Sequence, residues 1–232
     1  MHIFFAPTFP EQSSLSEEES KHAFRVLRLK IGDEIEVING RGSFYTCEIS
    51  SLDKRTCELI ILAEKTEIPR SFYIHIAIAP TKNIDRIEWF VEKCVEFGVD
   101  EITFLKSSNS ERKVIKLDRI KRIAVSAMKQ SRHAFFPKIN ELVNYTDFLD
   151  CSEQEHKLIA HLVNENRQGL KSIPLDSSYC MLIGPEGDFT GIEVELALSK
   201  GFKPVTLGAY RLRTETAGIA VCHALNFMHE AE

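Results

Sequence analysis

The stretch YCMLIGPEGDFTGIEVELALSKG, Tyr179 to Gly201, decides the fold. An apolar run stops at Ile183, a Gly-Pro-Glu-Gly-Asp turn follows, and residues spaced for a helix come next. Such a strand, glycine turn and helix in sequence is one unit of an α/β sheet. The same grammar recurs through most of the chain from about residue 70. "FYIHIAIA", "EITFL", "KLIAHL", "YCMLI" and "PVTLG" read as strands. "NIDRIEWFVEKCVEFG" reads as an amphipathic helix, with Ile84, Ile87, Val91, Cys94 and Val95 at helical spacing and Gly98 as its stop. "KLDRIKRIAVSAMKQS", "IEVELALSKG" and "TETAGIAVCHALNFMHE" read as further helices. Strands alternating with helices predict a mostly parallel sheet.

Residues 1–68 have another period. In "DEIEVINGRG", Ile35 and Val37 fall on one face of a strand and Glu34 and Glu36 on the other. "SFYTCEISSL" and "TCELIILAEK" follow as two more strands. One helix, "SEEESKHAFRVLRL", interrupts them, with Ser16 as N-cap and Glu19 placed for a capping box. A helix and several strands in so short a span predict a small barrel. The boundary falls near 66–72, beside Pro69, which gives domains of 1–68 and 72–232.

Composition narrows the class. Hydrophobic residues are 44% of the 232, enough for a packed core. The longest apolar stretch is too short to span a bilayer. The beginning "MHIFFAPTFPEQ" lacks the basic region and cleavage pattern of a secretory signal. Six scattered cysteines, with no C-x-x-C pair, argue against a zinc ribbon or a disulfide framework. A cytoplasmic protein without bound metal is the resulting expectation. The net charge of −5 conceals a segment, Lys106 to Lys138, with ten Lys/Arg against Glu111 and Asp118. Such sorting of charge suggests a polyanionic partner, the bland alternative being a solvated helix face.

Ligands of open α/β sheets collect beyond the carboxyl ends of the strands. Three loops qualify here: "IAHLVNENRQG", "LIGPEGDFTG" and "TLGAYRLRTETAG". The second is neither a Walker A loop nor a G-x-G-x-x-G turn, and Glu186 and Asp188 would repel a pyrophosphate. A neutral or cationic ligand fits it better, S-adenosylmethionine among them; structural turn glycines are the bland reading. In the third, Arg211 and Arg213 precede a helix with Thr214 as N-cap, which suggests an anion site or oxyanion stabiliser. Ion pairs to Glu193, Glu195 or Glu215 are the alternative. Asp188 is a candidate N-cap for the helix after its turn.

"IGPEGDFT" followed by "LGAYRLRTETA" resembles the paired signature of the ribosomal RNA small-subunit methyltransferase E family, of the SPOUT class. "HAFRVLRLKIGDEIEV", "KNIDRIEWFVEKCVEFGVDEI", "SERKV" and "AMKQSRHAFFP" are similar to other segments of that family, so the likeness covers nearly the whole chain. Asp188 departs from it where a glycine is usual, as do Tyr210 and Arg211 where Arg and Ile are usual, and the stretch between Arg112 and Lys129 looks shorter.

The resemblance implies an N-terminal PUA-like barrel, a C-terminal SPOUT α/β domain with a trefoil knot, and a homodimer. It implies methyl transfer from S-adenosylmethionine to N3 of a uridine in 16S ribosomal RNA, within the small subunit. It places the cofactor against His161, Leu162, Ile183, Gly184, Glu186, Gly187, Leu207, Gly208, Arg211 and Leu212. For the chemistry, Arg213 is the candidate stabiliser of charge on the base, and Glu186 and Glu215 are the candidate proton acceptors. His22 and His161 are weaker acid–base candidates, and Cys94 and Cys222 read as core. RNA phosphates would meet Arg25 and Arg28 in the first domain, and Arg112, Arg119, Arg122, Lys129 and Arg132 in the second. Competing readings are a SPOUT enzyme acting on another base or on a tRNA ribose, a non-catalytic RNA-binding assembly protein, and, last, a nucleotide-binding regulator.

Overall fold

A computed structural model describes residues 1–162, 167–175 and 178–230, and these form two compact units. The first is Met1–Pro69 together with Val125–Phe136; the second is Arg70–Ala124 with Pro137–Glu232.

In the first unit, strands β1 (Ile3–Phe5), β2 (Glu34–Ile38), β3 (Ser43–Leu52) and β4 (Cys57–Thr66) form one sheet in that order. The β1–β2 pairing is parallel and the other two are antiparallel. Ile35 and Val37 are fully buried as expected, with Phe4, Phe9, Cys47 and Ile49, but the expected alternation fails after Glu34, because Glu36 and Ile38 are buried too. The expected single helix is instead a short α1 (Glu17–Lys21) that runs into a π-helical turn, His22–Leu27, ended by Arg28 in the left-handed conformation. Only half of the expected capping box forms. Ser16 Oγ accepts from the Glu19 N–H at 3.3 Å, but the Glu19 carboxylate turns to the Phe5 N–H and to Lys129 Nζ.

The sequence reading places everything after residue 72 in the second domain, yet residues 125–136 belong to the first unit. Charge explains the return. Lys129 pairs with Glu19 at 2.8 Å and Arg132 with Glu36 at 2.6 Å, and both carboxylates are largely buried. Backbone bonds from Gly42 N–H to Ala134 O and from Phe136 N–H to Gly40 O fix the segment.

The second unit is built on a seven-stranded sheet. Its strands are β5 (Tyr73–Ile78), β6 (Glu101–Lys106), β7 (Lys138–Asn144), β8 (His156–Ala160), β9 (Gln168–Gly169), β10 (Ser178–Ile183) and β11 (Lys203–Thr206). The order is β7-β6-β5-β10-β8-β11-β9, and every pairing is parallel. Burial on both faces matches the continuous apolar runs of β5 and β10. Helices α2 (Ile84–Glu96), α3 (Leu117–Ser131), α4 (Tyr145–Cys151), α5 (Gly191–Ser199) and α6 (Thr214–Glu230) complete the unit, α3 passing into the first unit at Val125. Sequence reading did not find β7, β9 or α4, nor β1 in the first unit. Helix α2 buries Ile87, Phe90, Val91, Cys94 and Val95, and α6 packs on it. Gly218 permits that approach, because a Cβ there would lie 2.4 Å from the Phe90 ring. Among the described residues no helix is long and apolar enough to cross a membrane.

Candidate functional site

The carboxyl ends of β8, β10 and β11 border one cleft of about 440 Å³ in the second unit. That volume is within the range of small-molecule sites. Strand β10 lies between β5 and β8, and the loops beyond the carboxyl ends of parallel strands are the usual place for a ligand in an α/β fold.

Three loops supply most of the lining. From β8 come Ala160, His161 and Leu162; from β10, Ile183, Gly184, Pro185, Glu186 and Asp188; from β11, Val205 through Arg213. Every cofactor residue expected from sequence lines the cleft except Gly187, which lies against Asn109. Of the three candidate catalytic residues, Arg213 and Glu186 line it. Glu215 does not; it is buried in the first turn of α6, with Oε1 3.8 Å from Nε of Arg86.

The β10–α5 turn is tied to its neighbours by its own polar side chains. Glu186 Oε1 accepts from the Lys82 N–H at 3.0 Å, which links the turn to the end of β5. Asp188 Oδ1 accepts from its neighbour Phe189 N–H, and Oδ2 from the Leu162 N–H, both at 2.8 Å. Asn109, beyond β6, donates to the carbonyls of Gly187 and Asp188 at 3.2 and 3.0 Å. Asp188 is not the N-cap of α5. Thr190 is, in a complete capping box with Glu193, because Asp188 has left-handed backbone, φ +61°, and lies two residues too early. Glu193 Oε1 also accepts from the Ser108 N–H at 2.7 Å. Burial pushes the Glu193 carboxyl up, but the bonds from Ser108 and Thr190 outweigh it and hold its pKa below the ordinary value.

The β11–α6 loop is different. Residues 208–213 are all exposed, with Tyr210 at 88%. Its hydrogen bonds stay local: Thr206 Oγ1 with the Gly208 backbone, and the Ala217 N–H to Arg213 O. That last bond makes Arg213, not Thr214, the residue that precedes the helix. Among the described residues neither Arg211 nor Arg213 makes an ion pair, so the alternative of surface pairing with Glu193 or Glu215 does not hold.

His161 is buried at the cleft wall. Burial lowers its pKa, Asp188 partly offsets this, and Arg167 adds to the lowering. Sequence reasoning missed Arg86, Arg167 and Asn109 as parts of this region. Arg86 falls in a stretch already noted for its likeness; Arg167 and Asn109 carry no local signal, because their role comes from strand order.

The residues expected to meet RNA fall into two groups. Arg119 pairs with Glu88 at 2.6 Å, Lys129 and Arg132 pair as described, and Arg112 donates to the backbone carbonyls of Thr81 and Lys82. Arg25, Arg28 and Arg122 are exposed and, among the described residues, unpaired.

Comparison with known proteins agrees with this geometry. Residues 68–226 match the RNA methyltransferase domain family, and residues 15–62 the RNA methyltransferase PUA domain. The ribosomal RNA small subunit methyltransferase E of Aquifex aeolicus is 32% identical over 238 residues, 97% of this chain and 99% of that protein. The protein of the same name from Bacillus subtilis is 27% identical, over 97% and 92%. Among solved structures, a probable rRNA-methyltransferase from Porphyromonas gingivalis superposes with a TM-score of 0.90 at 40% identity, covering 99% of this chain and 100% of that one. A ribosomal RNA small subunit methyltransferase E from Neisseria gonorrhoeae, bound to S-adenosyl methionine, gives 0.88 at 29%, covering 98% of each.

Proposed function

This chain belongs to the ribosomal RNA small subunit methyltransferase E family, and from that premise we propose that it methylates ribosomal RNA with S-adenosylmethionine, at N3 of a uridine of the small subunit. The observation that carries the reading is the cleft at the ends of β8, β10 and β11. Its carboxylates Glu186 and Asp188 are engaged with backbone N–H groups, and it presents glycine and aliphatic surface at Gly184, Ile183, Leu162 and Leu212. It offers no phosphate-binding turn. Such a lining suits a nucleoside without phosphates. His161, Leu162, Ile183, Gly184, Leu207, Gly208, Arg211 and Leu212 would hold the cofactor.

The cofactor supplies a methyl group already activated on sulfur. The remaining demands fall on the chain. The cleft must align donor and base, which is an entropic contribution. Uracil N3 carries a proton, so its loss must be promoted. Arg213, exposed at the cleft edge and without an ion pair among the described residues, would stabilise negative charge on the base oxygens. Of the two candidate acceptor carboxylates, Glu186 lines the cleft and Glu215 does not. Glu215 lies beside Arg86, whereas one oxygen of Glu186 already holds the Lys82 N–H.

The same reading includes a trefoil knot in the second domain, a barrel-like PUA domain over residues 1–68, a homodimer and a cytoplasmic location. RNA contact would rest first on Arg25, Arg28 and Arg122, and non-specific binding would weaken with salt. The test is nucleoside analysis of small-subunit RNA after incubation with the protein and labelled cofactor. The expected product is N3-methyluridine. Label on a ribose or another base overturns the site of transfer, and no label on any small-subunit substrate overturns the activity.

A further inference from the structure

The β8 wall of the cleft lies beyond its sheet. Among the described residues the last paired residue of β8 is Ala160, opposite Ile183 and Val205, so His161 and Leu162 lie beyond the ladder. They are held otherwise. One peptide group joins these residues, with the His161 carbonyl at one end and the Leu162 N–H at the other. Arg167 Nη1 donates to that carbonyl at 2.8 Å, and Asp188 Oδ2 accepts from that N–H at 2.8 Å. A full positive charge meets the negative end of the peptide dipole, and a full negative charge meets the positive end. Both hydrogen bonds are charge-assisted, the stronger class. The peptide cannot rotate without breaking both.

Asp188 is itself fixed. Its other oxygen accepts from the Phe189 N–H, and Gly184 leaves room for it, since a Cβ there would lie 3.2 Å from Oδ1. Its backbone, φ +61°, is the conformation that glycine adopts without strain. Glycine would therefore satisfy the turn, and only the side chain supplies the tie to Leu162.

We propose that Asp188 is a positioning residue of the cleft: with Arg167 it clamps the His161–Leu162 peptide and sets the β8 wall in its binding geometry before the ligand arrives. The identity of the ligand rests on the methyltransferase reading; the clamp does not. A wall fixed in advance saves the ordering that binding would otherwise require, so losing the clamp should weaken affinity.

The test compares wild type with Asp188→Gly, which removes both acceptor oxygens and tolerates the backbone, and Asp188→Asn, which keeps one. Three quantities are read: amide hydrogen exchange at Leu162 in the free protein, calorimetric Kd for S-adenosylmethionine, and Tm. The expectation for Asp188→Gly is exchange at Leu162 faster by about tenfold and Kd weaker by about tenfold, roughly 1.4 kcal/mol. Asp188→Asn should fall between, and Tm should shift little, because relief of the left-handed backbone offsets the lost bonds. Unchanged exchange at Leu162 in Asp188→Gly overturns the clamp. Faster exchange with unchanged Kd, or a fall in Tm that alone accounts for the loss, overturns the positioning role. A wild-type protein that binds no S-adenosylmethionine overturns the methyltransferase reading instead, and exchange at Leu162 still decides the clamp.

Discussion

Two loops border the same cleft and are built on opposite plans. The β10–α5 turn holds its neighbours through Glu186, Asp188 and Asn109, so the ends of β5, β6, β8 and β10 are joined by side chain to backbone bonds. The β11–α6 loop makes only local bonds and leaves Arg211 and Arg213 exposed. Sequence suggests the reverse emphasis, since two acids in a glycine turn look like misplaced ligand contacts. The acids instead satisfy N–H groups at strand ends, where the sheet no longer supplies acceptors. One wall is therefore tied to its neighbours, and the other carries exposed charge.

If that division is right, substitutions on the two sides should separate in kinetics. Arg213→Ala should have the largest effect, a roughly hundredfold or greater loss of single-turnover rate at saturating cofactor, with cofactor Kd nearly unchanged. A full rate in this variant removes Arg213 from the chemistry. Asn109→Ala, on the strapped side, should do the opposite. Loss of its two bonds to the turn should weaken cofactor binding about fivefold, consistent with about 1 kcal/mol, and leave the saturated rate within about twofold. A rate loss without an affinity loss would erase the distinction between the walls. The smallest effect concerns acid. The pKa of Glu193 is held below the ordinary 4.5, so the stability it contributes is fully present above that pH and lost as pH falls through its folded value. Thermal melts from pH 6 to pH 3 should fall less steeply for Glu193→Gln than for wild type. Parallel curves would show that Glu193 adds nothing to the strapped side.

The architecture was legible where periodicity is strong. β5 and β10 are mostly apolar because both faces are covered, and α2 shows its buried stripe directly. What escaped notice depends on distant partners. β7 is mostly half-buried or exposed at a sheet edge, and α4 is only Tyr145–Cys151. Residues 125–136 join the first unit through Glu19 and Glu36, acids whose need for a counter-ion is invisible until the chain returns. The site was legible as loops, because glycines and arginines at strand ends stand out. Its wiring was not. Asp188 read as a cap since Asp is a common one, but its left-handed backbone and its bond to Leu162 come from strand order, which places β8 beside β10.

Glu186 bears most directly on the division between the walls, because it is both a strap on the Lys82 N–H and a carboxylate facing the cleft. Glu186→Gln keeps an acceptor oxygen for that N–H and removes the basic carboxylate. Its single-turnover methylation rate, measured at saturating cofactor from pH 6 to pH 9, should stay within about twofold of wild type if the acid serves as a strap. A loss of about a hundredfold with cofactor affinity intact would make Glu186 the base, and the acids of the turn would belong to the chemistry after all.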